Sequence, residues 1–198
     1  MKKKVTAALL AGICIGISFV ATIKKTEQVL SNNIIRLHVR ANSDSPEDQQ
    51  LKLKVRDRIL KESNVLLEEA KDQREVYNIL GMNLDYLTDC ARNEIEKRGY
   101  SYSVEVTLGK SEFPTKAYGD ICLPAGTYEA LVINIGSGKG HNWWCVVFPP
   151  MCFAEGTVSE EGGELLKENL NDSTYDMISQ DKPKIKFKAY ELWQKLTR

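Results

Sequence analysis

Residues 113–153 read FPTKAYGDICLPAGTYEALVINIGSGKGHNWWCVVFPPMCF. Three apolar-rich runs, at about residues 117–123, 128–135 and 143–148, have the length and composition of strands. Pro124-Ala125-Gly126 separates the first two, and the glycine-rich run 136–140 separates the last two. Consecutive strands joined by short connections favour antiparallel pairing. The segment also concentrates two of the three tryptophans, four of the six prolines and three of the five cysteines. Large aromatics need a core to fill or a partner to meet, and paired prolines stop a strand from continuing.

Upstream, Tyr102, Val104, Val106 and Leu108 alternate with Ser103, Glu105 and Thr107, a further strand closed by Gly109. Residues 64–98 have helical periodicity, with a break expected near Gly81. Leu84, Leu87, Ala91 and Ile95 form the apolar spacing of its second half, and Gly99 suits the C-terminal cap. Earlier still, Leu51, Val55 and Ile59 mark one helical stripe. Ser45 is its N-cap candidate, Pro46 suits the first helical position, and Asp48 stands where a capping box would close. Lys52, Lys54, Arg56, Arg58 and Lys61 populate the rest of that helix, as on a solvated face. Before it, Ile35, Leu37 and Val39 alternate with Arg36, His38 and Arg40, the pattern of a half-buried strand. Residues 164–170 have helical character, and Ile185, Ala189, Leu192, Trp193 and Leu196 are spaced for a closing amphipathic helix. The order predicts an α+β fold: one domain, a mostly antiparallel sheet, and helices packed on one face, after an N-terminal hydrophobic helix.

The 198 residues carry 27 basic and 27 acidic side chains. Five lysines and no acid lie in the first 25 residues, leaving a body of 22 basic against 27 acidic residues, a net of −5. A mildly acidic body argues against nucleic acid as ligand, since phosphate binding needs a clustered positive surface. Lys2, Lys3 and Lys4 precede residues 5–23, which hold no charge. Nineteen such residues lie between the core of a signal peptide and a transmembrane helix. Residues 1–25 are therefore either a cleaved signal peptide or a signal-anchor, with membrane contact through residues 5–23 if uncleaved. Residues 26–33 follow as a polar linker and residues 34–198 as the globular domain. In both cases the body lies outside the cytoplasm. Cys14 is not a lipid-attachment site, because Ile13 stands where that processing needs a small residue.

Export changes how the remaining cysteines read. Cys90, Cys122, Cys145 and Cys152 allow three full pairings, and the sequence does not choose among them. A Cys145–Cys152 disulfide would close a loop containing Pro149 and Pro150; unpaired, all four would serve as small buried apolar side chains. No spacing supplies the ligand pairs of a zinc site. The run 136–140 (GSGKG) fails as a phosphate loop: Ile133 replaces the first glycine and Gly140 the hydroxyl residue. Cys145 with His141 or His38, and Asp120 or Asn142 as orienter, would be the site of a cysteine-dependent hydrolase associated with the cell wall. An apolar setting raises a thiol's pKa and dulls it, which weighs against that reading. Trp143 and Trp144 point to opposite faces of a strand, so that one enters the core while the other stays near the surface. In the alternative, Trp193 and Tyr190 of the closing helix cover both.

Three blocks carry a resemblance: IIRLHVRANSDSPEDQQLKLKVRD (residues 34–57), FPTKAYGD with LPAGTYEAL, and GSGKGHNWWCVVFPPMCF. Together they resemble the stage II sporulation protein R family, over residues 34–153. The resemblance implies a protein made in the forespore of an endospore former and exported into the intermembrane space. There it would activate a membrane-embedded aspartic protease that matures the precursor of the mother-cell sigma factor E. It implies a ligand and not an enzyme, with no catalytic, cofactor or metal-binding residue. The partner surface expected on the residues comprises Lys139, His141, Asn142, Trp143, Trp144, Phe148, Pro149 and Pro150. The rival classes are the cysteine-dependent hydrolase and a structural module held at the membrane.

Overall fold

The computed structural model describes residues 2–151, 160–179 and 183–197. Element order is α1 (Lys2–Ser31), β1 (Ile35–Arg40), α2 (Pro46–Leu66), α3 (Gln73–Met82), α4 (Leu84–Lys97), β2 (Val104–Phe113), β3 (Lys116–Tyr118), β4 (Ile121–Leu123), β5 (Gly126–Ile135), β6 (Asn142–Phe148), α5 (Glu160–Asn169), α6 (Asp172–Ser179) and α7 (Pro183–Thr197). The strands form a four-stranded sheet in the order β2-β5-β1-β6 and a two-stranded ribbon, β3-β4. β2 pairs with β5, and β1 with β6, antiparallel; β1 and β5 run parallel. The α+β class and the mainly antiparallel sheet agree with the sequence reading. The stretch expected as one strand at 117–123 is the ribbon, folded back at Gly119-Asp120. The strand nearest the N-terminus sits between β5 and β6, which therefore do not pair with each other.

α2, α3 and α4 pack on one face of the sheet. Leu51, Val55, Ile59, Leu80, Leu87 and Ile95 meet Leu37, Val39, Leu131 and Ile133 in one buried cluster. Each such side chain, fully buried, contributes about 1.5–3 kcal/mol. Helix boundaries follow local chemistry. Ser45 caps α2, accepting from the Asp48 N–H at 3.2 Å, and Asp72 caps α3 by accepting from Glu75 N–H at 2.8 Å. Asp48 does not close a capping box; its carboxylate accepts from the Asn42 amide and the Ser43 hydroxyl at 2.8 and 2.6 Å. The break expected near Gly81 falls at Asn83, whose side chain donates to Ile79 O at 2.7 Å. At the end of α4, Gly99 N–H reaches Glu96 O and Tyr100 N–H reaches Ile95 O.

The opposite face of the sheet carries a second layer. Phe113, Tyr128, Ala130 and Val146 are covered by the ribbon, the end of α1 and the C-terminal helices, with Ile23, Leu30, Leu166, Ile178 and Phe187 buried among them. β1 is therefore covered on both faces. Arg36 and His38, expected on a half-exposed strand, are buried. Lys52 and Arg56, expected on a solvated face, are buried as well, whereas Lys54, Arg58 and Lys61 are exposed.

The N-terminus requires two corrections. Most of the expected linker 26–33 is helix: α1 continues to Ser31, Leu30 is buried, and Glu27 accepts from the Thr127 N–H at 3.2 Å. The expectation of a transmembrane helix is overturned, since among the described residues no helix is long and apolar enough to cross a membrane. The physical reason lies in the later turns of α1. They carry Lys24, Lys25 and Glu27, and they place Ile23, Thr26 and Leu30 against the body instead of lipid.

Candidate partner-binding site

The loop between β5 and β6 is held rigidly at one end of the sheet. Gly136 and Gly138 adopt φ of 56° and 61°, a region that a side chain disfavours. Asn42 secures the loop: its Oδ1 accepts from the Ser137 N–H at 3.0 Å, and its carbonyl accepts from the Ser137 hydroxyl at 2.6 Å. Gly140 N–H donates to Ala41 O at 2.9 Å. Asp44 accepts from both the backbone N–H and the Nδ1 of His141. The backbone N–H bond from His141 holds the Asp44 carboxyl below its usual range, against a smaller opposing effect of burial. Lys52 Nζ completes the clamp, donating to His141 O at 2.9 Å and to Gln49 Oε1 at 2.6 Å. Burial lowers the Lys52 pKa, assisted by neighbouring Arg56. Within this frame Lys139, His141 and Asn142 are exposed. A glycine-rich loop thus presents three polar side chains from a fixed backbone.

β6 continues from the loop and carries the tryptophans to opposite faces. Trp143 lies on the helix side, half-buried, with the Arg56 guanidinium 4.2 Å from its ring centroid. Its Nε1 is buried and has no hydrogen-bond partner among the described residues. Trp144 lies on the other face, half-buried, stacked on His38 and edge-on to Phe113 at 4.9 Å. Tyr190 and Trp193 stack on each other at 5.9 Å, and their helix packs with the second layer and not over both tryptophans. Phe148 and Pro149 are buried, joined by a cis peptide bond, and only Pro150 is half-exposed. Of the residues expected on the partner surface, Lys139, His141 and Asn142 are exposed, Trp143, Trp144 and Pro150 are half-buried, and Phe148 and Pro149 are buried.

Beneath Trp144 lies a cationic centre that sequence periodicity missed. Arg36 is fully buried, its guanidinium carbon 4.1 Å from the Phe113 centroid and 5.0 Å from that of Tyr128. Nη2 donates to Tyr118 Oη at 2.7 Å, and that hydroxyl donates to Trp144 O at 3.2 Å. Aromatic faces thus take the place of a carboxylate partner. The chain ties the ribbon to β6. Burial, seconded by the cationic Arg40 and Arg36, brings the pKa of His38 down to about 4 despite an opposing hydrogen bond with Asn142. Arg40 Nε donates to His38 Nε2 at 3.3 Å, which leaves the ring proton on Nδ1, facing Ser111 Oγ at 3.5 Å.

The hydrolase constellation does not assemble. Cys145 is disulfide-bonded and so offers no thiolate, while His141 is oriented by Asp44 and not by Asp120. Cys14, Cys90 and Cys122 carry thiols. Cys152 lies outside the described residues. No group of histidine, cysteine and carboxylate side chains among the described residues could hold a metal ion.

Comparison with known proteins bears on this assembly of loop, tryptophan strand and capped helix. The family described as Stage II sporulation protein R matches residues 31–158, a span that runs from β1 past the cis proline. Stage II sporulation protein R of Bacillus subtilis (strain 168) is 39% identical over 163 residues, which cover 81% of this chain and 71% of that protein. No solved structure matches the chain. The matched span contains the clamp residues, both strand tryptophans and the whole four-stranded sheet, and on that breadth the chain belongs to the stage II sporulation protein R family.

Proposed function

We propose that this protein is an exported sporulation signal between compartments, which activates a membrane-embedded aspartic protease and so matures the precursor of sigma factor E. Family membership supports a sporulation signalling role for an exported protein. Residues 1–25 act as the export signal and residues 34–198 as the signalling body. The disulfide at Cys145 suits an oxidising, extracytoplasmic location.

The observation that carries the reading is the clamped loop: Lys139, His141 and Asn142 are exposed on a backbone fixed by Asn42, Asp44 and Lys52. A ligand switches a receptor only by binding one of its states better than the other. A pre-ordered loop loses little freedom on docking, so more of its contact energy remains for that discrimination. Trp144, beside it, supplies the amphipathic aromatic that commonly anchors an interface. Trp143, Phe148 and Pro149 support the surface from below.

The test is complementation of a strain lacking this protein. Lys139→Glu combined with Asn142→Arg should abolish cleavage of the sigma-factor precursor while the secreted body stays folded. Normal cleavage with that variant would refute the loop as the contact surface.

A further inference from the structure

α7 has two apolar faces, and the body uses one. Phe187 and Tyr190 are buried, and Glu191 turns the same way. On the other side Ile185, Leu192, Trp193 and Leu196 are 68%, 60%, 44% and 78% exposed, and Ala189 lies exposed among them. At 3.6 residues per turn these five positions fall within an arc of about 100°, one continuous stripe. Lysines border it on both sides: Lys188 and Lys195 along one edge, Lys186 along the other. The acidic residue of this helix, Glu191, is already matched by Lys188 and Lys195 at 2.9 and 3.1 Å. Exposed Ile17 and Phe19 of α1 extend the stripe across an apolar cleft that also includes Val20, Ala189, Tyr190 and Trp193.

We propose that this face of α7, with Ile17 and Phe19, docks on the surface of an anionic phospholipid bilayer. The pattern is that of a helix lying in the headgroup region: an apolar stripe inward, lysine stems along its borders, ammonium groups toward phosphate. Trp193, at the margin of the stripe, sits where an amphipathic ring is favoured. With 15 residues α7 is too short to span, so it lies along the surface. Three lysines border the stripe against the one carboxylate of Glu191, a net positive rim that fits a negatively charged plane. This inference is separate from the role of the β5–β6 loop.

The experiment is co-sedimentation of the full chain with phosphatidylcholine vesicles containing about 30 mol% phosphatidylglycerol, compared with phosphatidylcholine alone. Wild type should pellet with the anionic vesicles and be released by salt. Leu192→Glu with Leu196→Glu, both at exposed positions, should lower the bound fraction about tenfold. Vesicles with brominated acyl chains should quench the tryptophan emission of wild type, and Trp193→Phe should remove most of that quenching. Wild type that stays in the supernatant overturns the proposal. Equal pelleting of the double glutamate variant overturns it too, assigning vesicle binding to residues 5–23 alone. A wild-type dimer that the double variant dissociates, or quenching unchanged in Trp193→Phe, would show the face to have another occupant.

Discussion

His38 and Trp144 are register partners across the β1–β6 pairing, and their rings stack with centroids 3.8 Å apart and planes 26° from parallel. The contact joins the buried centre of the sheet to the face that the signalling reading uses. It also makes the site sensitive to acid. His38 is neutral in the folded protein because burial, with Arg40 and Arg36, depresses its pKa to about 4. The unfolded chain takes up that proton near the ordinary value of 6.5. Between those values the unfolded state holds more protons, so stability falls as pH drops from 6.5 to 4 and this contribution levels off below. Thermal melts across that range should show the decline, and His38→Phe, which keeps a ring on Trp144, should flatten it. An unchanged slope in the variant would place the titration elsewhere.

The two tryptophans of β6 should separate by phenotype. Trp143 packs between the sheet and Arg56, so Trp143→Ala should cost about 3 kcal/mol in denaturant unfolding. Trp143→Phe should cost far less, because the Nε1 it removes is buried without a hydrogen-bond partner among the described residues. Trp144→Phe should fold normally, and it should signal weakly if the indole is an anchor. Equal behaviour of the two positions in both assays would argue against this division of labour.

A bridge between Cys145 and Cys152 is proposed from the disulfide at Cys145 and the thiols at the other three positions. Denatured, unreduced protein that retains residues 1–25 should then titrate three thiols, those of Cys14, Cys90 and Cys122. Cys152→Ser should raise the count by one and lower the melting temperature. A count of five in that protein, or of four in protein cleaved after residue 25, would remove the bridge.

Glu191 ties α7 to the loop before β3, accepting from the Thr115 N–H as well as the two lysines. Burial pushes its pKa up, but hydrogen bonds from Lys188, Lys195 and Thr115 outweigh that and hold it at about 2. Its contribution is present above 4.5 and is lost as pH falls toward 2. Glu191→Gln should loosen α7 at neutral pH, seen as faster amide exchange there, with little further change on acidification.

The strand alternation, the Ser45 cap and the helical stripe through Leu51, Val55 and Ile59 were legible because they are local patterns. Partner choice among strands was not, since nothing in IRLHVR says that β1 will lie between β5 and β6. That single insertion buries Arg36 and His38, which alternation alone marked as outward. Lys52 and Arg56 misled for a related reason: their long stems reach the β6 end of the sheet, one to the loop and one over Trp143. In the site, glycine density revealed a loop, while its clamp came from Asp44, 97 residues before His141 in the chain. Long-range pairing of that kind leaves no periodic trace.

The central claim is that this body signals from outside the cytoplasm by contact. The most direct measurement places the chain, the membrane-embedded protease and the sigma-factor precursor together in vegetative cells that lack the sporulation programme. Precursor cleavage should appear with the exported chain and disappear when residues 2–19 are deleted, which removes most of the uncharged run, keeps buried Ile23 and holds the body inside. Equal cleavage with the cytosolic form would contradict the account.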